Sequence, residues 1–219
     1  STEIFPYIDE QVNLIIKDIH NEILNVSPDL LADAADHGIL LCGGGSLGHV
    51  VAGYLAATKP VKVNVHTQRP ERWSREIVVD TPDGRVLRGG LNVVSSDPAE
   101  VLSGVDIVLL CLPGFAIRDE LIKIRPYLNK DKYVGSVFSS TGFFFEAMKL
   151  LDEDIPLWGF QRVPFIARTE EYGHSAHLLG YKSAHNIAVE RCDDKEGFRA
   201  LIESLFDAPV TLLSNYYEA

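Results

Sequence analysis

Ile39-Leu40-Leu41-Cys42-Gly43-Gly44-Gly45-Ser46-Leu47-Gly48 carries an apolar run into a glycine cluster and continues as His49-Val50-Val51-Ala52-Gly53-Tyr54-Leu55-Ala56-Ala57. An apolar run, Gly-x-Gly-x-x-Gly and a small-residue helix spell strand, tight turn and helix, the opening of a dinucleotide-binding βαβ unit. In that reading Gly43 makes the turn, Gly45 lets the backbone approach a pyrophosphate, and Gly48 lets the helix lie close on its strand. Ser46 and Leu47 begin the helix, whose first N–H groups are free to hold phosphate oxygens. By itself the pattern also fits a glycine-rich loop without chemistry, so the segments around it have to decide.

Val61 to His66 alternates Val61, Val63 and Val65 with Lys62, Asn64 and His66, a strand of period two. NAD-binding versions of this unit place an acid on the ribose hydroxyls about twenty residues past the glycines. Here that stretch is Thr67-Gln68-Arg69-Pro70-Glu71-Arg72. A carboxylate would repel a 2'-phosphate, whereas Arg69 grips one through charge-assisted hydrogen bonds, with Thr67 and Gln68 as neutral donors and Arg72 nearby. The competing reading of Arg69 is a solvated loop arginine. The stretch favours NADP, with NAD still allowed.

Ile77 to Asp80 and Arg85 to Arg88 flank Thr81-Pro82-Asp83-Gly84, a turn sequence, and predict a hairpin inserted into the βαβ series. Leu91 to Val94 continues as a strand, and Asp97-Pro98 opens a short helix closed by Gly104. Val105 to Leu112 is apolar almost throughout, as in a central parallel strand covered on both faces. Leu112, Pro113 and Gly114 break it at the carboxyl end, where open α/β sheets bind ligands. Tyr133 to Phe138 is a further strand ending in Ser139-Ser140-Thr141-Gly142, so Thr141 joins Leu112, Pro113 and Gly114 as candidates around the cofactor's ribose and nicotinamide. Tyr181 to Val189 reads as the last strand, and Asp193-Asp194 starts a helix through Phe206.

Ahead of the glycine turn, Ile8, Val12, Ile15, Ile16, Ile19 and Ile23 recur at helical spacing, and Ser27-Pro28-Asp29 starts a second helix through Asp36. The fold class is therefore α/β: a Rossmann-type, doubly wound, mainly parallel sheet with an inserted hairpin and an extra N-terminal helical pair. A net charge of -11 argues against nucleic acid as a partner. Three widely spaced cysteines read as reduced and structural, no stretch is long enough to span a bilayer, and a cytoplasmic protein is expected. His174, His177 and His185 lack the ligand spacing of a zinc site, and no metal is expected.

The order of these segments resembles the N-terminal half of the opine dehydrogenase family and, more distantly, ketopantoate reductase and glycerol-3-phosphate dehydrogenase. The likeness is carried by Gly43 to Gly48, by Val105 to Leu112 with Pro113-Gly114-Phe115-Ala116, by Thr141 to Glu146, and by Arg168-Thr169-Glu170-Glu171-Tyr172-Gly173 followed by Leu178 to Lys182. It implies NAD(P)H-dependent hydride transfer to an imine or oxo acid centre, with a 2-oxo acid or amino acid as substrate. It also implies that the catalytic histidine and its carboxylate partner sit in a helical C-terminal domain absent from this chain. No catalytic residue is assigned here.

The expected organisation is a helical extension over 1–37 packed on a dinucleotide-binding domain over 38–219, with a homodimer or a separate catalytic chain as partner. Arg162 and Arg168 are candidates for a substrate carboxylate, with structural ion pairing the competing role for each. Two other functions stay open: a stand-alone NAD(P)-binding regulatory or redox-sensing module, and an S-adenosylmethionine-dependent transferase. The transferase calls for an acid after the second strand, where this chain has Thr67-Gln68-Arg69.

Overall fold

β1 (Gly38–Cys42) is buried along its whole length, and its side chains alternate between two apolar layers. Ile39 and Leu41 enter one, Leu40 and Cys42 the other, because successive residues of a strand face opposite sides. β6 (Ile107–Leu110) divides in the same way, Ile107 and Leu109 against Val108 and Leu110. Two buried faces explain why both segments read as unbroken apolar runs. The structure, a computed structural model, describes residues 38–219; the two helices expected before Gly38 lie outside the described residues.

The main sheet is completed by β2 (Lys62–His66), β5 (Val93–Ser95), β7 (Tyr133–Ser136), β8 (Leu157–Phe160), β11 (His185–Glu190) and β12 (Val210–Leu212). Its order is β12-β11-β8-β7-β6-β1-β2-β5. From β5 to β8 every pairing is parallel; β11 runs antiparallel to β8, and β12 parallel to β11. The chain leaves β1 for β2 on one side and later returns to β6 on the other, so the order reverses at β1. In an open parallel sheet such a reversal opens a crevice at the carboxyl ends of the strands. Cys42 is in register with His66 of β2 and with Leu110 of β6, which puts the three strand ends side by side.

One face is covered by α2 (Pro98–Val101), α3 (Gly114–Ile124) and α4 (Phe143–Leu150), which contribute Val101, Ile117, Leu121, Ile124, Phe143, Phe144 and Ala147 to the core. The other carries α1 (Ser46–Thr58) and α5 (Lys195–Phe206). Asp194 caps α5 by accepting from Gly197 N at 2.8 Å, as its place before the helix predicts.

The expected hairpin forms, as β3 (Glu76–Asp80) paired antiparallel to β4 (Val86–Gly90). It belongs to a second, four-stranded sheet of order β4-β3-β10-β9, with β9 (Phe165–Glu171) and β10 (Ser175–Tyr181). β10 lies parallel to β3 across almost a hundred residues of sequence, a pairing no local pattern announces. α1 is therefore enclosed between two sheets, and Gly48 to Leu55 are all buried. Gly53 meets Val79 of β3, and Gly89 of β4 lies so close that a Cβ there would sit 2.6 Å from Gly53 O.

The strand expected last, over Tyr181 to Val189, is corrected in two ways: Tyr181 ends β10 in the second sheet while the remainder forms β11 in the main one, and β12 (Val210–Leu212) follows as the last strand. β10 ends at Tyr181 and β11 begins at His185, with exposed Lys182-Ser183-Ala184 between them. β11 is covered on both faces, Ile187 and Val189 entering one apolar layer and Ala188 the other, and which sheet each strand joins is set by its pairing partners rather than by local pattern. Among the described residues no helix is long and apolar enough to cross a membrane.

Candidate cofactor site

The crevice beside β1 opens as a cleft of about 330 Å³ lined by Gly43, Gly44, His66, Thr67, Gln68, Arg69, Leu112, Glu120 and Tyr172. Gly43 has φ +117°, a left-handed conformation that favours glycine, and its N–H donates to His66 O at 3.1 Å. A Cβ on Gly43 would lie 2.8 Å from Cys111 O, and one on Gly48 would lie 2.2 Å from Gly43 O. The turn and the first helical residues are thus pressed against backbone. Gly45 is different: it is exposed, and a Cβ there would meet nothing within 4 Å. The chain needs a side chain's absence at Gly43 and Gly48 for its own packing, and at Gly45 the space is open to a ligand.

Gly45 is the N-cap of α1, with no side-chain cap and no acid in the first turn. The first N–H groups of the helix therefore keep their positive potential for an anion. Ser46 turns its hydroxyl away from that role, accepting from Thr169 N at 3.0 Å and meeting Thr169 Oγ1 at 3.1 Å. Leu47 is half-buried against the core. His49 fixes the other side of the turn: its Nε2 accepts from Gly173 N at 2.7 Å, so Nδ1 holds the proton and donates to Gly45 O at 2.9 Å. Burial lowers the His49 pKa, which keeps the ring in this neutral form. The ring stacks on Trp73 at 4.4 Å.

The strand end after β2 brings Thr67, Gln68 and Arg69 into the cleft, Thr67 buried and the other two exposed. Arg72 does not line it. Its guanidinium lies 4.8 Å from the centre of the Tyr172 ring, a cation–π contact. Tyr172 comes from the β9–β10 turn, and its hydroxyl is 3.2 Å from Thr67 Oγ1 and close over Gly44. Pro113 is the N-cap of α3, and Gly114 packs against Thr141, where a Cβ would lie 2.9 Å from Thr141 O. Besides Gly45, Ser46, Leu47 and Gly48 at the helix start and Arg72 outside the cleft, the sequence candidates fall into two groups. Gly43, Thr67, Gln68, Arg69 and Leu112 share the cleft, and Pro113, Gly114 and Thr141 meet at the ends of β6 and β7.

Four cleft residues were not among the candidates: Gly44, His66, Glu120 and Tyr172. His66 and Glu120 form a buried ion pair through Nδ1 and Oε1, and His66 Nε2 lies 3.2 Å from Ser96 O. Burial pulls the His66 pKa down, but the hydrogen bond and charge of Glu120 outweigh it and raise the value. Burial raises Glu120, and His66 with Lys123 more than reverses that. Arg162 and Arg168 are exposed, and His177 stands 3.3 Å from Asp80 and 3.8 Å from Glu170.

A family model described as MreB/Mbl protein matches residues 1–72, a third of the chain. An uncharacterized protein, y4xO of Sinorhizobium fredii, is 31% identical over 193 residues, covering 82% of this chain and 51% of its own length. Octopine dehydrogenase of Pecten maximus is 28% identical over 160 residues, covering 66% of this chain and 40% of its own. The solved structure of an octopine dehydrogenase with NADH and L-arginine superposes with a TM-score of 0.76 at 24% identity, over 83% of this chain and 49% of that one. At that identity the superposition speaks for the fold. The chain spans about half the length of the relatives it matches most fully. Sequence relatives and fold agree in likening this chain to the N-terminal NAD(P)-binding domain of the opine dehydrogenase family.

Proposed function

We propose that the cleft holds NADP(H) for an opine-dehydrogenase-type oxidoreductase, with hydride transfer to an imine or oxo acid centre. The observation that carries this is the open space at Gly45, beside an uncapped helix start and in line with a strand end that offers Arg69 and no acid. Gly43 to Gly48 would hold the pyrophosphate, Thr67, Gln68 and Arg69 the 2'-phosphorylated ribose, and the Leu112-Pro113-Gly114 and Thr141 rim the nicotinamide end. When bound, the nicotinamide supplies or accepts the hydride. This chain's own part is to bind, orient and shield.

Two solved octopine dehydrogenase structures, one described with NADH and L-arginine and the other with NADH and pyruvate, support an amino acid as one substrate and a 2-oxo acid as the other. The family's helical domain, with its histidine and carboxylate, would complete the site from outside residues 1–219. Three free cysteines suit the reducing cytoplasm in which we place the protein. Titration calorimetry of the 219-residue chain with NADPH, NADH and S-adenosylmethionine tests the reading. NADPH should bind most tightly and S-adenosylmethionine not at all. Tighter binding of NADH would overturn the choice of NADP, and no dinucleotide binding would overturn the site.

A further inference from the structure

We propose that Cys42, His66 and Glu120 form a binding site for one divalent transition-metal ion of the Zn²⁺ type. The three residues are buried, they sit on three different rigid elements, and one donor atom from each lies within 4.8 Å of the others. Cys42 ends β1, His66 ends β2 directly beside it, and Glu120 faces both from α3. A thiolate, an imidazole and a carboxylate make a mixed sulfur, nitrogen and oxygen set that suits zinc and disfavours magnesium or calcium.

The tautomer of His66 decides what belongs between these groups. Its Nε2 is 3.2 Å from Ser96 O, a carbonyl that can only accept, so Nε2 carries a proton. A neutral His66 therefore aims the lone pair of Nδ1 at the Glu120 carboxylate, two acceptors face to face. A proton shared between the two groups reconciles them, as in the ion pair described above, and a metal cation in the proton's place would do the same. A backbone carbonyl on the far ring nitrogen is the arrangement that orients metal-binding histidines. Charge balance favours the cation once Cys42 ionises, since a thiolate and a carboxylate together match a divalent ion.

Tetrahedral zinc with bonds of about 2.0–2.3 Å needs donors about 3.4 Å apart. The His66–Glu120 contact must open, which the Glu120 side chain can do, and the Cys42 sulfur must close in by rotating about its own Cα–Cβ bond. Lys123 Nζ, 3.7 Å from Glu120 Oε2, is half exposed and free to swing outward. His66 and Glu120 also line the cleft, which leaves a fourth position facing it. Such an ion would tie the ends of β1 and β2 to α3 immediately beneath the Gly43 turn.

The test is titration of the chelator-treated 219-residue chain with Co²⁺, read by absorption, followed by displacement with Zn²⁺. One equivalent should give tetrahedral cobalt bands and a thiolate-to-cobalt charge-transfer band, both abolished by Zn²⁺. Cys42→Ser should lose the charge-transfer band, and His66→Ala or Glu120→Gln should weaken Zn²⁺ at least about tenfold. Cys111→Ser and His177→Gln should keep the band, separating this site from the neighbouring thiol and from the Asp80, Glu170 and His177 surface group. Absence of a thiolate band from the wild-type chain at one equivalent overturns the proposal, whatever the variants do. So does a band that survives Cys42→Ser or disappears in Cys111→Ser.

Discussion

Gly45→Ala separates the packing of the glycine turn from its use. At the N-cap of α1, Gly45 has φ -82° and ψ 179°, a conformation alanine adopts without strain, and a Cβ there meets no atom within 4 Å. Reduced freedom of the unfolded chain would stabilise the variant by about 0.4–1 kcal/mol. Alanine is a poorer N-cap than glycine, which costs roughly 0.5–1 kcal/mol in return. The two nearly cancel, and at about 2–4 °C per kcal/mol for a domain of this size the melting temperature should move by less than ~3 °C.

Binding should behave otherwise. The methyl would occupy the space proposed for the pyrophosphate and displace it from two helix-start N–H groups. At about 1.5–3 kcal/mol for each hydrogen bond to a charged group, the loss is at least ~3 kcal/mol. That corresponds to roughly a hundredfold in NADPH affinity. Gly48→Ala is the contrast: its Cβ would lie 2.2 Å from a backbone oxygen, so it should unfold the domain at markedly lower temperature. Calorimetric melting and NADPH titration on the two variants decide the matter. A Gly45→Ala chain that binds NADPH like wild type would refute the pyrophosphate assignment, and one that melts like Gly48→Ala would refute the open space.

Arg69→Ala should weaken NADPH by at least ~10-fold and NADH little, the value of one charge-assisted contact to the 2'-phosphate; equal losses for both would remove Arg69 from that role. Gly89→Ala forces the second sheet away from α1 and should cost about 1–3 kcal/mol, seen as a lowered urea midpoint with NADPH affinity retained. His49 sets a pH dependence. Its folded pKa is depressed, so the unfolded chain, with a pKa of about 6.5, binds the extra proton first. The stability it contributes is complete above that value and is lost as pH falls from there towards the folded pKa. Denaturant melts of wild type and His49→Gln across this window should differ most at high pH and converge as pH drops; a constant difference would contradict the neutral, doubly bonded ring.

Much of this fold could be read from local pattern. Runs such as Ile39 to Cys42 and Val105 to Leu112 are apolar because both faces of a parallel strand are covered, and that leaves a signature in consecutive residues. The hairpin at Thr81 to Gly84 and the cap at Asp194 are equally local. The second sheet was not readable, since β9 and β10 pair with the hairpin through contacts between distant segments. Their alternation states that one face is buried without stating against what. The break after Tyr181 was missed because distant pairing partners, not local pattern, assign β10 and β11 to different sheets.

The sequence by itself determined the glycine turn, the strands beside it and the arginine in place of an acid at Arg69, because each depends on residues within one βαβ unit. Tertiary structure decided what surrounds the turn. It showed the Ser46 hydroxyl held by Thr169, Tyr172 laid over Gly44, and Gly45 alone among the three turn glycines open to a ligand. It also set Glu120 against His66 from 54 residues away, with Cys42 beside them. Side chains from separate strands and helices converge only where the sheet brings their carboxyl ends together, and spacing along the chain carries no record of that convergence.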